Sequence, residues 1–132
     1  MQISTALRTT LADAIDAAVG ATGEVRFYTA ARASLLATAP CNNPAFGAAS
    51  AGAITLDVDP AVEDTSPGNA GTCVLMGLYA ASGDAATAFV VEMGVATSGS
   101  PDITMSNNVI AVTDTVQVSS LVITVPAGTP TT

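Results

Sequence analysis

No histidine, lysine or tryptophan occurs in this chain of 132 residues. The missing histidine removes Ser–His–Asp and Cys–His catalysis and His-ligated metal sites from a single chain. The missing lysine removes Schiff-base chemistry and the phosphate-binding P-loop. Aromatics make up 4% of the residues, too few for a carbohydrate-stacking platform. Positive charge is as scarce: Arg8, Arg26 and Arg32 are the only basic residues, and the net charge is −8. Binding to nucleic acid needs cations that displace counterions from phosphates, so a nucleic-acid partner is excluded. An anionic membrane surface is excluded by the same sign argument. No apolar run approaches the roughly 18 residues of a membrane span. Asp13 and Asp16 interrupt the first apolar stretch, so it does not read as a secretion signal. A soluble protein that starts in a cytoplasm is the expectation. Cys41 and Cys73 then default to free thiols, and their spacing gives no argument for a bridge.

What is present is small and apolar. Hydrophobic residues form 49% of the chain and charged residues only 11%. A surface so poor in charge suits burial in an assembly better than life as a monomer. The plain alternative is a small free-standing β domain. The length fits one domain with a core of its own.

The stretch from Gly71 to Val95 organises the rest. Two apolar runs of about eight residues flank Ser82-Gly83-Asp84, which reads as the turn of a central antiparallel hairpin. The first run is apolar on both faces, with Cys73, Leu75 and Tyr79 on one and Val74, Met76 and Leu78 on the other. It therefore needs a cover on each face.

Residues 3–19 carry the one helical pattern: Ile3, Leu7, Leu11, Ile15 and Val19 recur every four residues, joined by Ala14 and Ala18. Ser4 or Thr5 is placed to cap its start and Gly20 to end it. The stripe packs on the chain's own sheet or on a neighbouring subunit. Gly23–Ala30 reads as a strand with Val25 and Phe27 on one face, Arg26 and Tyr28 on the other. Arg26 beside Tyr28 is a candidate binding pair, since Arg stacks on aromatics; the competing reading is a half-exposed strand face. Ser34–Thr38 and Ala53–Val58 read as further strands, and Phe46 as an anchor between them. Asp57, Asp59, Glu63 and Asp64 form an acidic cluster with oxygens for a hard cation. Their spacing fails the EF-hand template at Ala61 and Val62, which favours a solvated acidic loop. As a catalytic carboxylate pair, Asp57 and Asp59 lack the rigidity such chemistry requires.

Short strands follow at 103–106 and 109–112. In the last strand, 116–126, apolar parity breaks at Ser119-Ser120, where a bulge would return Val116, Val118, Leu121, Ile123 and Val125 to one face. Residues 127–132 have nothing to bury and read as a flexible or partner-bound tail. The fold expectation is therefore mainly β: an antiparallel sandwich or small barrel of about seven to nine short strands with one N-terminal helix, forming a single domain over 1–126. No catalytic residue, cofactor site or metal site is expected beyond the acidic cluster.

The order of these pieces resembles a known family. The segments GEVRFYTAARASLLATA, NPAFGAASAGAITLD and AFVVEMGVATSGSPDITMSNNVIAVTDTVQVSSLVITVPAG are similar to small β-rich proteins from the structural-gene modules of tailed bacteriophages and prophages. The likeness spans roughly residues 1–128 and rests most on Pro44–Ala48 and Ser120–Pro126. The acidic loop and the strand Cys73–Met76 depart from it. The resemblance implies a virion structural protein assembled in the host cytoplasm, in particular a capsid decoration (cement) protein. Its implied partners are the major capsid protein and further copies of itself, with a trimer suited to a threefold site. A tail tube or tail fibre component is the alternative. The interface candidates are Leu7, Leu11, Ile15, Arg26, Tyr28 and Phe46.

Overall fold

The computed structural model describes residues 1–130. The chain is mainly β with one helix, α1 (Thr5–Val19), followed by eleven strands. β1 (Glu24–Tyr28), β2 (Leu35–Pro40), β6 (Leu75–Tyr79), β7 (Val91–Ala96) and β8 (Ile103–Thr104) form a five-stranded sheet in the order β2-β1-β6-β7-β8. The remaining strands pair as three ribbons. β3 (Ala53–Thr55) pairs with β11 (Val122–Thr124), β4 (Val62–Asp64) with β10 (Val116–Val118), and β5 (Gly71–Thr72) with β9 (Val109–Ile110). One sheet with three ribbons thus stands where the sequence suggested a two-sheet sandwich or a barrel. Three features of the pattern raise the strand number above expectation. Val62–Asp64 is a strand inside the acidic loop, Gly71–Thr72 separates from β6, and 116–126 divides in two.

The division of 116–126 falls at Ser119-Ser120, the point of broken parity. There the chain leaves β4 and crosses to β3, with Leu56 N–H donating to Leu121 O at 2.9 Å. Val116, Val118 and Leu121 are buried and Gln117, Val122 and Thr124 exposed. A change of partner strand, rather than a bulge within one strand, restores the inward face.

The central hairpin pairs Leu75 with Gly94 and Leu78 with Val91. Its midpoint lies between Asp84 and Ala85, at the end of the expected Ser82-Gly83-Asp84 turn. The connection is longer than expected, however, because β7 begins only at Val91 and Ala80–Val90 forms a loop. The sheet's two faces differ. Val25, Phe27, Met76 and Leu78 belong to the main hydrophobic core with Ala12 and Val19 of α1, Ile54, Leu56, Val62 and Val116. Glu24, Arg26, Tyr28 and Tyr79 alternate with them on the other face, under the 80–90 loop.

α1 starts where Ser4 Oγ accepts from Leu7 N–H at 3.2 Å and ends at Gly20, whose positive φ of 66° closes the last turn. A hairpin lies along it. Phe46 bridges Leu56, and Ser50 bridges Ala53 around Ala51 and Gly52, both at positive φ as a two-residue hairpin turn requires. Helix side chains fix this hairpin: Thr9 Oγ1 accepts from Gly52 N–H, Asp13 from Ala49 N–H and Asp16 from Phe46 N–H, at 3.1–3.2 Å.

The outer edge of β2 is occupied. Thr38 N–H donates to the Asp64 carboxylate at 2.8 Å, Gly68 N–H to Leu36 O at 3.0 Å, and the Asn69 side chain to Leu35 O at 2.8 Å. The segment after β11 is not free either. Gln2 bridges Gly128, and Ile3 N–H donates to Ala127 O at 2.7 Å, so the start of the expected tail pairs with the N-terminal arm. Thr131 and Thr132, the last part of that expectation, lie outside the described residues.

Candidate functional site

Arg26 in the middle of β1 and Tyr28 at its end lie between β2 and β6, and each is only 4% exposed. The expectation of a half-exposed face is corrected here: the 80–90 loop folds over it. The Arg26 guanidinium lies 4.1 Å from the centre of the Tyr79 ring. Its Nε donates to Glu24 Oε1 at 2.5 Å, one terminal nitrogen to Tyr28 Oη at 3.4 Å and Asp84 O at 2.8 Å, the other to Ala81 O at 3.0 Å and Ser82 O at 3.1 Å. A guanidinium has five N–H donors; four make short bonds here and the fifth is directed at Tyr28 Oη at the longer distance of 3.4 Å. Burial opposes the charge, yet the hydrogen bonds to Tyr28 and Glu24 hold the Arg26 pKa above its ordinary value.

The loop completes the arrangement from its own side. The Asp84 carboxylate accepts from Ala80 and Ala81 N–H at 3.2 and 3.0 Å, and Tyr79 Oη donates to Ala86 O at 2.7 Å. Burial raises the Tyr79 pKa strongly, so the phenol stays a donor. Gly77 leaves room for the Tyr79 ring beneath the loop: a Cβ there would stand 2.7 Å from Cε2. Arg26 is therefore a clamp for main-chain carbonyls with no donor left over for a ligand. The alternation of β1 is legible in the sequence. The cover is not, because Ala85–Val90 reads as the start of the second hairpin strand rather than as part of a loop that turns its carbonyls inward.

Arg32 makes a second, more open clamp. It donates to both oxygens of Glu92, at 2.7 and 2.5 Å, and lies 5.5 Å from the centre of the Phe89 ring. The bonds to Glu92 raise its pKa. Ala31 and Arg32 both take positive φ, 53° and 57°, a conformation uncommon for residues with a Cβ.

The other interface candidates separate. Phe46 is 2% exposed and belongs to the core, where it ties the hairpin to α1, so it cannot meet a partner. Ile15 is half-buried against the core. Leu7 and Leu11 are 51% and 40% exposed. The helix buries Ala12 and Val19 instead of the whole expected stripe. A spacing of four overshoots a helical turn by about 40°, so the series from Ile3 to Val19 winds through about 160° and cannot lie on one face. Its N-terminal half points outward and continues into exposed Ala14 and Ala18.

The acidic residues are not assembled into a metal site. Asp64 is committed to Thr38 and Ser66 N–H, and Asp57 accepts from Asp59 N–H within the loop. Among the described residues no three of the His, Cys, Asp and Glu side chains gather where they could hold a metal ion. Cys73 is buried and Cys41 half-buried, both as free thiols. Burial, with a smaller contribution from Glu24, pushes the Cys41 thiol up to about 11, which makes it a poor nucleophile at neutral pH. A cavity of 160 Å³ between Phe27, Met76, Met105 and Val118 is smaller than the roughly 300–1,000 Å³ of most small-molecule sites. The most plainly unpartnered chemistry is the outward half of α1. The chain matches no protein-family model, and no curated protein or solved structure matches it.

Proposed function

We propose that this chain is a non-enzymatic structural protein of a bacteriophage virion, a capsid decoration protein that stabilises the head by bridging capsomers. The resemblance of its segments to phage structural proteins supplies the setting. The observation that carries the reading is where the binding chemistry lies. Arg26 directs its donors to Glu24, Tyr28 and the carbonyls of the loop above it, while Leu7 and Leu11 stand exposed on α1. The buried guanidinium of Arg26 is consumed internally, and apolar side chains that would bind a protein are left outside.

Such a face gives a modest contact. Apolar burial contributes about 25 cal/mol per Å², before association costs. A decoration protein works within that limit because many copies act on one lattice.

The test is the copy number of this protein in purified virions, by quantitative mass spectrometry against the major shell protein. The expected ratio is one copy per shell protein or a simple large fraction of it. A number suited to a single ring or fibre would move the protein to the tail, and its absence from virions would overturn both readings.

A further inference from the structure

Two charged groups lack the partners their chemistry calls for, and they lie towards opposite ends of α1. Arg26 and Arg32 each hold a carboxylate, but Arg8 forms no ion pair among the described residues. Its terminal nitrogens reach Val125 O and Thr5 Oγ1 only at 3.4 Å, longer than the roughly 2.7–3.2 Å of a good N–H···O bond. Its Nε is buried without any partner. Arg8 lines a cleft of 420 Å³ with Gln2, Ile3, Ser4, Thr5 and Ala127. Leu7 and Leu11 stand exposed next to it on the helix surface.

Most carboxylates are already committed. Asp13, Asp16, Asp64, Asp84, Asp102 and Asp114 accept backbone N–H groups, and Glu24 and Glu92 hold arginines. Asp59 and Glu63 accept no hydrogen bond among the described residues, and of the two Asp59 is the exposed one. Asp59 lies on a loop that Asn42 holds through Asp57 O and Pro60 O. The neighbouring Asn43–Ala45 segment lies against Asp16, Ala17 and Gly20, at the far end of α1 from Arg8.

We infer that the outward half of α1 is a docking surface for a second copy of this chain, whose Asp57–Pro60 loop sets Asp59 against Arg8 beside Leu7 and Leu11. This rests on the assembly reading above. Charge selects the occupant. In a chain of net charge −8, acidic surfaces repel another copy, and Arg8 is the cation left to receive a carboxylate. Each contact pairs the helix of one copy with the loop of another, and repetition about a symmetry axis closes a dimer or a ring. A helix of 15 residues is about 22 Å long and one face of it covers well under the roughly 800 Å² that each partner buries in a stable complex. Each contact is therefore weak, and ring closure adds the contacts together.

Sedimentation velocity of the purified protein over rising concentration tests this. The expected result is concentration-dependent association that weakens as salt is added. Leu11→Asp and Asp59→Arg should each weaken it about tenfold or more, with the melting temperature unchanged. The double variant Arg8→Glu/Asp59→Arg should recover association, because every helix then meets a loop of opposite charge. A monomer at every concentration, or association indifferent to Leu11→Asp and Asp59→Arg, overturns the inference. So does a folded double variant that stays dissociated; should the double variant not fold, Leu11→Asp and Asp59→Arg decide. Self-association with this pattern in a protein absent from virions would overturn the virion reading alone.

Discussion

The two faces of the five-stranded sheet reach the same degree of burial by opposite means. On one, Val25, Phe27, Met76 and Leu78 meet the apolar sides of α1 and the ribbons, and burial needs only shape and volume. On the other, Glu24, Arg26, Tyr28 and Tyr79 meet the carbonyl-rich Ala80–Val90 loop, and burial needs every polar group matched. The first face tolerates substitution in proportion to the volume lost. The second should fail abruptly, since one missing partner leaves several others unpaired.

Arg26→Met tests that difference most severely. It leaves Glu24 charged in a buried position and frees the carbonyls of Ala81, Ser82 and Asp84, at an expected cost of about 4 kcal/mol by denaturant titration. Arg26→Lys should rescue little of this, because an ammonium has three donors where five are used. Leu78→Ala probes the apolar face. It should cost about 3 kcal/mol by the same titration, with the near-ultraviolet tyrosine signal kept. A Leu78 loss exceeding that of Arg26 would break the comparison. Gly77→Ala falls below both at about 1–3 kcal/mol, and it should alter the tyrosine signal because its methyl displaces the Tyr79 ring. Leu7→Ser, on neither face, should change stability by less than about 0.5 kcal/mol, as read from the thermal midpoint.

The sequence made the apolar face easier to read than the polar one. Alternation in β1 separated Val25 and Phe27 from Arg26 and Tyr28, and the position of Ser82-Gly83-Asp84 set the centre of the hairpin. The parity break at Ser119-Ser120 marked where the chain changes partners. All three are local patterns with a fixed period. The burial of Arg26 was not legible, because it depends on carbonyls, which every residue carries and no side-chain pattern reports. The acid side chain that shapes the loop, Asp84, was visible only as a turn residue. The helix was legible in extent and misread in orientation. Its repeat of four is close enough to a turn to announce a helix, and far enough from one to swing Leu7 and Leu11 away from the core. For the candidate surface, that difference matters most: Leu7 and Leu11, whose spacing predicts a buried stripe, are the ones left exposed.

The edge of β2 is closed to a further strand. Asp64, Gly68 and Asn69 occupy the hydrogen-bonding groups of Leu35, Leu36 and Thr38. A bare strand there would offer any other copy a template for sheet extension, in any number and without closure. Occupying that edge with a carboxylate and an amide blocks backbone pairing along β2. Contact across this edge is then left to side chains, whose fit can specify orientation and a stopping point.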